Sequence, residues 1–392
     1  VNCRSCAHDG FGEVVDLGLM PLVNNLMRSA DEVAARWPLH VVFCRECSLA
    51  QLTETPPPQA MFDEYLYFSS QSQTMVEHAR RLVDRFVEPG DRVLEIASND
   101  GYLLHHAKER VATVLGVDPA SNIAEFANQR GIPTRCEYFN ADSAARLVEE
   151  WSGPADVIFA NNVLAHVPDP NEIAAGIAIA LSRDGVAHIE VPSLVRMIES
   201  CAFDTIYHEH YSYFSLTALV DLFRRHGMKI VAVELMDVHG GSLHVQVAHE
   251  GHEGAAEAWI ERERSVGVME DGFYANFAPR VHAIHRDLDA AIGRFRTVVG
   301  YGAAAKGIVL LNAFGLTRDR IAWVADVSPH KQGRFVPGTG QAIVSPDRLT
   351  AERPDAALLL PWNLREEVLG RNQSYRDQGG RFIVPIPRVE IV

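Results

Sequence analysis

Apolar residues Met75, Ala79, Leu82, Val83 and Phe86 recur at the spacing of one helix face, which predicts a helix over 75–87 that Pro89-Gly90 ends. The pattern then changes to short apolar runs separated by turns. Strands are expected at 92–96, 111–117, 156–160 and 185–190, with helices at 101–108 and 122–130 between the first of them. That alternation predicts a parallel, doubly wound α/β sheet. After Phe214 the pattern gives a helix over 216–226, strands over 230–234 and 242–247, and a long amphipathic helix over 273–295 that Pro279 kinks or delays. A second α/β pattern starts at Arg296. It has strands at 297–300, 321–327, 356–360 and 382–384, a glycine–alanine loop at 302–307 and a helix at 308–314.

Length and composition fit this reading. At 392 residues and 47% hydrophobic content, the chain is long enough for two or three domains with their own cores. The net charge of −15, with no Lys/Arg run, excludes the usual basic footprint of a nucleic-acid binder and gives an anionic membrane nothing to attract. Arginine dominates the basic residues. Lysine occurs only at Lys108, Lys229, Lys306 and Lys331. No export signal, lipidation signal or apolar run of spanning length is visible, so a cytoplasmic location is expected.

Four of the six cysteines form two tight pairs, Cys3-Arg4-Ser5-Cys6 and Cys44-Arg45-Glu46-Cys47; Cys136 and Cys201 stand alone. In a reducing compartment such pairs favour metal over disulfides, and four thiolates close a tetrahedral zinc shell. The expected unit covers 1–60 and ends near Thr55-Pro56-Pro57-Pro58. A unit this small has little core, so the metal is expected to supply its fold, away from the chemistry.

Glu95 ends the first strand of the central pattern, and Ser98-Asn99-Asp100-Gly101 turns into a helix. A carboxylate and small polar groups at such a bend suit an amino acid's ammonium and carboxylate. Asp118 ends the next strand, where an acid binds ribose hydroxyls in doubly wound folds. Only one glycine is present, not the three of GxGxxG, so NAD or FAD fits poorly and S-adenosylmethionine fits better. Phe139-Asn140, after the third strand, are expected near the adenine. Asn161 and His166, after another strand, are expected at the same carboxyl edge. About 110 residues past the loop comes Tyr207-His208-Glu209-His210-Tyr211-Ser212-Tyr213-Phe214. Two histidines, a carboxylate and three tyrosines in one short run suggest acid–base work downstream of a cofactor fold.

The ordered set of motifs resembles a known family. The two CxxC pairs, the Ser98-Asn99-Asp100-Gly101 loop and Tyr207-His208-Glu209-His210 are followed by His239-Gly240-Gly241-Ser242, Tyr301-Gly302-Ala303-Ala304-Ala305-Lys306-Gly307 and His330-Lys331-Gln332-Gly333. In this order, over essentially the whole chain, they resemble the zinc-containing sugar C-methyltransferases that build branched deoxysugars for antibiotics. The resemblance implies an N-terminal zinc unit (1–60), a central Rossmann-like S-adenosylmethionine domain (61–250) and a vestigial C-terminal Rossmann-like domain (251–392) that helps bind a nucleotide-sugar.

It also implies methylation at C-3 of a nucleotide-linked 4-keto sugar, commonly on thymidine diphosphate. His210 is then the expected base, with His208 and Glu209 as competitors. Tyr207 and His166 are expected at the ketone oxygen, together with Tyr65 or Tyr67. Lys306, Lys331, His208 and Ser242 are the candidate substrate contacts, the lysines facing a diphosphate. No nucleic-acid or membrane partner is expected, and the chain is expected to be a monomer or weak homodimer. The alternatives are methylation of a non-sugar ketone, a dehydrogenase using the Gly300–Ala305 loop with Asp326 as the ribose acid, and a non-catalytic zinc-bearing interaction protein.

Overall fold

The computed structural model describes residues 1–56, 68–237, 240–251 and 254–392. Tyr65, Tyr67 and His239 lie outside the described residues.

Three strands open the chain: β1 (Phe11–Pro21), β2 (Arg36–Cys44) and β3 (Ala50–Leu52), paired antiparallel in that order. Their apolar face is substantial, which corrects the expectation of a unit with little core. Val15, Leu39, Val41, Phe43 and Leu52 are buried in one cluster with Leu194, Phe203, Tyr274 and Val281 from later in the chain. Phe43 stacks on Tyr274 with ring centroids 4.3 Å apart. The N-terminal unit thus draws its core partly from the rest of the molecule.

The central sheet holds β4 (Arg92–Ile96), β5 (Thr113–Val117), β6 (Thr134–Arg135), β7 (Ala155–Asn161) and β8 (Leu181–Pro192). A short β9 (Ser212–Tyr213) leaves it to pair with β3, completing the N-terminal sheet. The hairpin of β10 (Lys229–Met236) and β11 (Ser242–Ala248) returns to the central sheet. The order is β10-β11-β8-β7-β4-β5-β6, with β4 to β8 parallel and β11 antiparallel to β8. Strand order reverses between β4 and β7, so a ligand crevice is expected at their carboxyl ends. Helix Gln73–Phe86, capped by Ser72 accepting from the Met75 N–H, covers one face of this sheet.

The long helix over 273–295 divides into Asp271–Tyr274 and Phe277–Ile292. Pro279 falls in the first turn of the second, where its missing N–H costs no helical hydrogen bond. The last domain is a sheet of β12 (Val298–Tyr301), β13 (Trp323–Ala325), β14 (Ala342–Val344), β15 (Ala356–Leu359), β16 (Arg381–Val384) and β17 (Glu390–Ile391). Its order is β14-β13-β12-β15-β16-β17, parallel except for β17. It has its own reversal point between β12 and β15. No helix of the described residues is long and apolar enough to cross a membrane.

Candidate active site

The metal site forms where two turns face each other. Ala7 and Ser48, just past one cysteine of each pair, adopt φ of 63° and 61°, and their N–H groups bond back to the carbonyls of Cys3 and Cys44. These turns aim all four sulfurs inward. Cys3 Sγ lies 3.5 Å from Cys47 Sγ and Cys6 Sγ lies 3.6 Å from Cys44 Sγ; all four lie within 4.8 Å of one another. A tetrahedral zinc with Zn–S of ~2.3 Å needs edges of about 3.8 Å, so Cys3, Cys6, Cys44 and Cys47 fit zinc without rearrangement. With four thiolates the shell is closed, and zinc there is structural.

The cofactor loop leaves β4 at the reversal point. Ala97, Asn99 and Gly101 take φ of 55°, 47° and 76°, which folds the chain tightly back into helix Tyr102–Lys108. Asp118 ends β5 and accepts from the Asn99 N–H at 3.0 Å and the Ala120 N–H at 2.9 Å. Asn99 Oδ1 accepts from the Ser69 N–H at 2.8 Å. Glu95, Asp100 and Asp118 are all buried. Burial, then the neighbouring Asp100 and Asp118, pushes Glu95 well above the usual carboxylate range.

Among the described residues, Glu95 Oε2, Ser98 Oγ, Asp100 Oδ1 and both amide atoms of Asn161 are buried without a hydrogen-bond partner. Acceptors and crowded carboxylates without a cation are what a positively charged, polar ligand would satisfy. S-adenosylmethionine brings an ammonium and a sulfonium, so these residues fit it. Phe139 is buried, with its ring 2.6 Å from where a Cβ on Gly176 would sit. The Asn140 side chain is engaged in capping helix Ala141–Glu150.

The catalytic candidates occupy a segment pinned on both sides. The Tyr211 N–H donates to the Ala165 carbonyl at 2.7 Å, and the Leu52 N–H donates to the Tyr211 carbonyl at 3.1 Å. His210 Nδ1 lies 2.8 Å from the Thr205 carbonyl and Nε2 lies 2.7 Å from the Tyr207 hydroxyl. A carbonyl only accepts, so Nδ1 carries the proton and Nε2 presents its lone pair to the phenol. The His166 ring meets the His210 ring edge-on, centroids 4.7 Å apart.

Glu209 points elsewhere. Its two oxygens accept from Asn24 Nδ2 at 2.7 and 2.8 Å, and burial raises its pKa to about 7 against those bonds. His208 is buried under the N-terminal sheet, with Nε2 donating toward the carbonyls of Trp37 and Pro38. Ser242 is buried at the start of β11.

Both candidate lysines already have protein neighbours. Lys331 Nζ donates to the Ala303 carbonyl at 2.9 Å and lies 3.7 Å from Asp326 Oδ2. Lys306 Nζ lies 5.1 Å from the centre of the Trp362 ring. Asp326, at the end of β13, accepts from the N–H groups of Ala303 and Ser328. Asp326, the candidate ribose acid, is thereby engaged by its own loops and lies beside Lys331.

Several participants were not apparent from sequence. Asn24 and Glu209 are 185 residues apart, and no local pattern links them. Glu190 is fully buried at the carboxyl end of β8 beside Asn161 and bonds His78 at 2.6 Å and Asn162 at 3.3 Å. An acid ending a buried strand, the signal that marked Glu95 and Asp118, was available there too.

Known proteins match this arrangement in segments and as a whole. Family profiles match a zinc binding domain at residues 3–62, a methyltransferase domain at 70–233 and a C-methyltransferase C-terminal domain at 237–387. The C-methyltransferase NovU of Streptomyces niveus is 39% identical over 406 aligned positions, covering 100% of this chain and 96% of NovU. A ubiquinone biosynthesis O-methyltransferase of Bordetella avium is 30% identical over 98 residues, 24% of this chain and 40% of its own length. Among solved structures, a SAM-dependent methyltransferase from Anabaena variabilis is 15% identical, covers 46% of this chain and 86% of its own, and superposes with a TM-score of 0.38.

Proposed function

The chain belongs to the family of S-adenosylmethionine-dependent C-methyltransferases that includes NovU, and from that premise we propose that it methylates C-3 of a nucleotide-linked 4-keto deoxysugar. The observation that carries the reading is the Tyr207–His210 pair, an imidazole of fixed tautomer bonded to a phenol. Carbon becomes nucleophilic only as an enolate, so a C-methyltransferase needs a base and a donor at the neighbouring oxygen.

His210 and Tyr207 supply both. With Nδ1–H held on the Thr205 carbonyl, His210 keeps its basic lone pair on Nε2. When a ketone arrives, the Tyr207 hydroxyl turns from Nε2 to the carbonyl oxygen. That frees Nε2 to take the proton from the adjacent carbon. His166, edge-on to His210, supports the same oxygen. Glu209 stays on Asn24, its pKa raised to about 7 by burial. Tyr65 is the further candidate at this oxygen.

Glu95, Ser98, Asp100, Asp118 and Asn161 would hold S-adenosylmethionine, which supplies an electrophilic methyl group when bound. Their buried acceptors favour the cationic cofactor over a product whose sulfur is uncharged. The nucleotide, thymidine diphosphate in our reading, lies toward the C-terminal domain. Incubation with S-adenosylmethionine and a panel of nucleotide ketosugars, read by mass, tests the reading. One sugar should gain one methylene mass; no gain with any member would overturn it.

A further inference from the structure

The reversal point of the C-terminal sheet, between β12 and β15, is where a doubly wound fold ordinarily receives a ligand. Here the Ala304–Lys306 turn and Pro361-Trp362 bound that position, and a carboxylate from the central domain fills it. Asp204 is fully buried, and its Oδ2 accepts from Trp362 Nε1 at 2.7 Å. Its Oδ1 has no hydrogen-bond partner among the described residues. Lys306 reaches the same cluster: its Nζ lies 5.1 Å from the centre of the Trp362 ring whose Nε1 bonds Asp204, and its ammonium favours the charged form of Asp204 against burial. Gly240, just before β11, lies against the cluster: a Cβ there would come within 2.9 Å of the Trp362 ring.

Asp204 sits in the single turn Phe203–Thr205, and the Thr205 carbonyl is the acceptor for His210 Nδ1. An unbroken route therefore runs from Lys306 and Trp362 through Asp204 and the Thr205 carbonyl to the proposed base.

We infer that Lys306, Trp362 and Asp204 form an interdomain cluster that positions the Thr205 carbonyl, and through it His210. On this account the C-terminal fold's ligand position has become a receptor for an internal carboxylate. Lys306 is then a positioning residue, not a clamp on the substrate's diphosphate. The inference rests on the enolate reading above. Removing the Lys306 charge would leave buried Asp204 with less to favour its charged form, and the turn under His210 would relax. A 1 Å displacement of a base is enough to cost about a hundredfold in rate.

The test compares Lys306→Met, Lys306→Arg and wild type on a nucleotide ketosugar that the wild type methylates. We expect Lys306→Met to lower kcat and the rate of solvent-deuterium exchange at the acidic carbon together, by roughly tenfold to a hundredfold. The sugar's KM should stay within about twofold, because uniform binding is untouched. Lys306→Arg should recover part of both rates by restoring the charge. If Lys306→Met does not fold, Asp204→Asn with Lys306→Met removes both charges and carries the same comparison. A raised KM with unchanged kcat and exchange would overturn the inference and return Lys306 to the diphosphate. A wild type that neither exchanges nor methylates any ketosugar would instead overturn the functional reading beneath it.

Discussion

At the scale of residues, the site depends on pairs that bring together distant parts of the chain. Glu209, its pKa pushed up to about 7 chiefly by burial, is held toward its charged form by Asn24. Removing that donor in Asn24→Ala should raise the pKa further, by about one unit for a bond to a charged group. If ionised Glu209 supports turnover, the acid limb of kcat/KM should move to higher pH by that amount; an unmoved limb would separate Glu209 from the reaction. Stability follows the same sign. A carboxylate raised from 4.5 to about 7 contributes stability below about 4.5 that is lost as pH rises through 7. Glu209→Gln should therefore flatten the pH dependence of the melting temperature across that window.

The acids Glu95 and Asp118 were legible in the sequence because each ends an apolar run, and strand period plus topology places such ends at the ligand edge. The partners Asn24, Thr205 and Asp204 were not. Their contacts come from domain docking, which no local period encodes. For Asp118, substitution by Ala should weaken S-adenosylmethionine binding by roughly tenfold to a hundredfold, the worth of a charged hydrogen bond, and should also lower the melting temperature because the Asn99 and Ala120 N–H groups lose their acceptor. Calorimetry giving unchanged affinity would remove Asp118 from the cofactor site.

At the scale of elements, the zinc turns and the catalytic segment are one structure. Cys47 leads within three residues into β3, and β3 pairs with β9 directly after His210. The Ser48 and Ser215 hydroxyls lie 2.5 Å apart across the same seam. Metal analysis should return about one zinc per chain. Chelation should abolish turnover while much of the fold survives, because the N-terminal sheet also has the apolar contacts of Phe43, Leu39 and Val41. Circular dichroism and activity measured along a chelator titration should separate; loss of both in one step would return the fold to the metal alone. Sequence periodicity found the central strands within a few residues and missed β1 to β3. Those strands bury their apolar face against residues far along the chain, so nothing nearby signals a core.

At the scale of the whole molecule, the proposed reaction draws on three domains. The N-terminal unit supplies Asn24, from the loop after β1, and the pairing of β9. The central sheet supplies the cofactor crevice and the Tyr207–His210 pair. Trp362 of the C-terminal domain bonds Asp204 in the turn beneath His210. Burial, then the neighbouring Asp100 and Asp118, holds Glu95 above its usual range. A cation entering there favours the charged carboxylate, so S-adenosylmethionine binding should release protons between the ordinary and raised pKa of Glu95. The measured binding enthalpy should then vary with the buffer's ionisation enthalpy, and Glu95→Gln should remove that variation.

The central claim is that the Tyr207–His210 pair makes an enolate before methyl transfer. Exchange of the proton on the carbon next to the ketone, followed in deuterated solvent with cofactor product in place of cofactor, reads that step alone. The account predicts that wild type incorporates deuterium at that carbon and that His210→Ala does not, while still binding both ligands. Near-normal exchange by His210→Ala would contradict it.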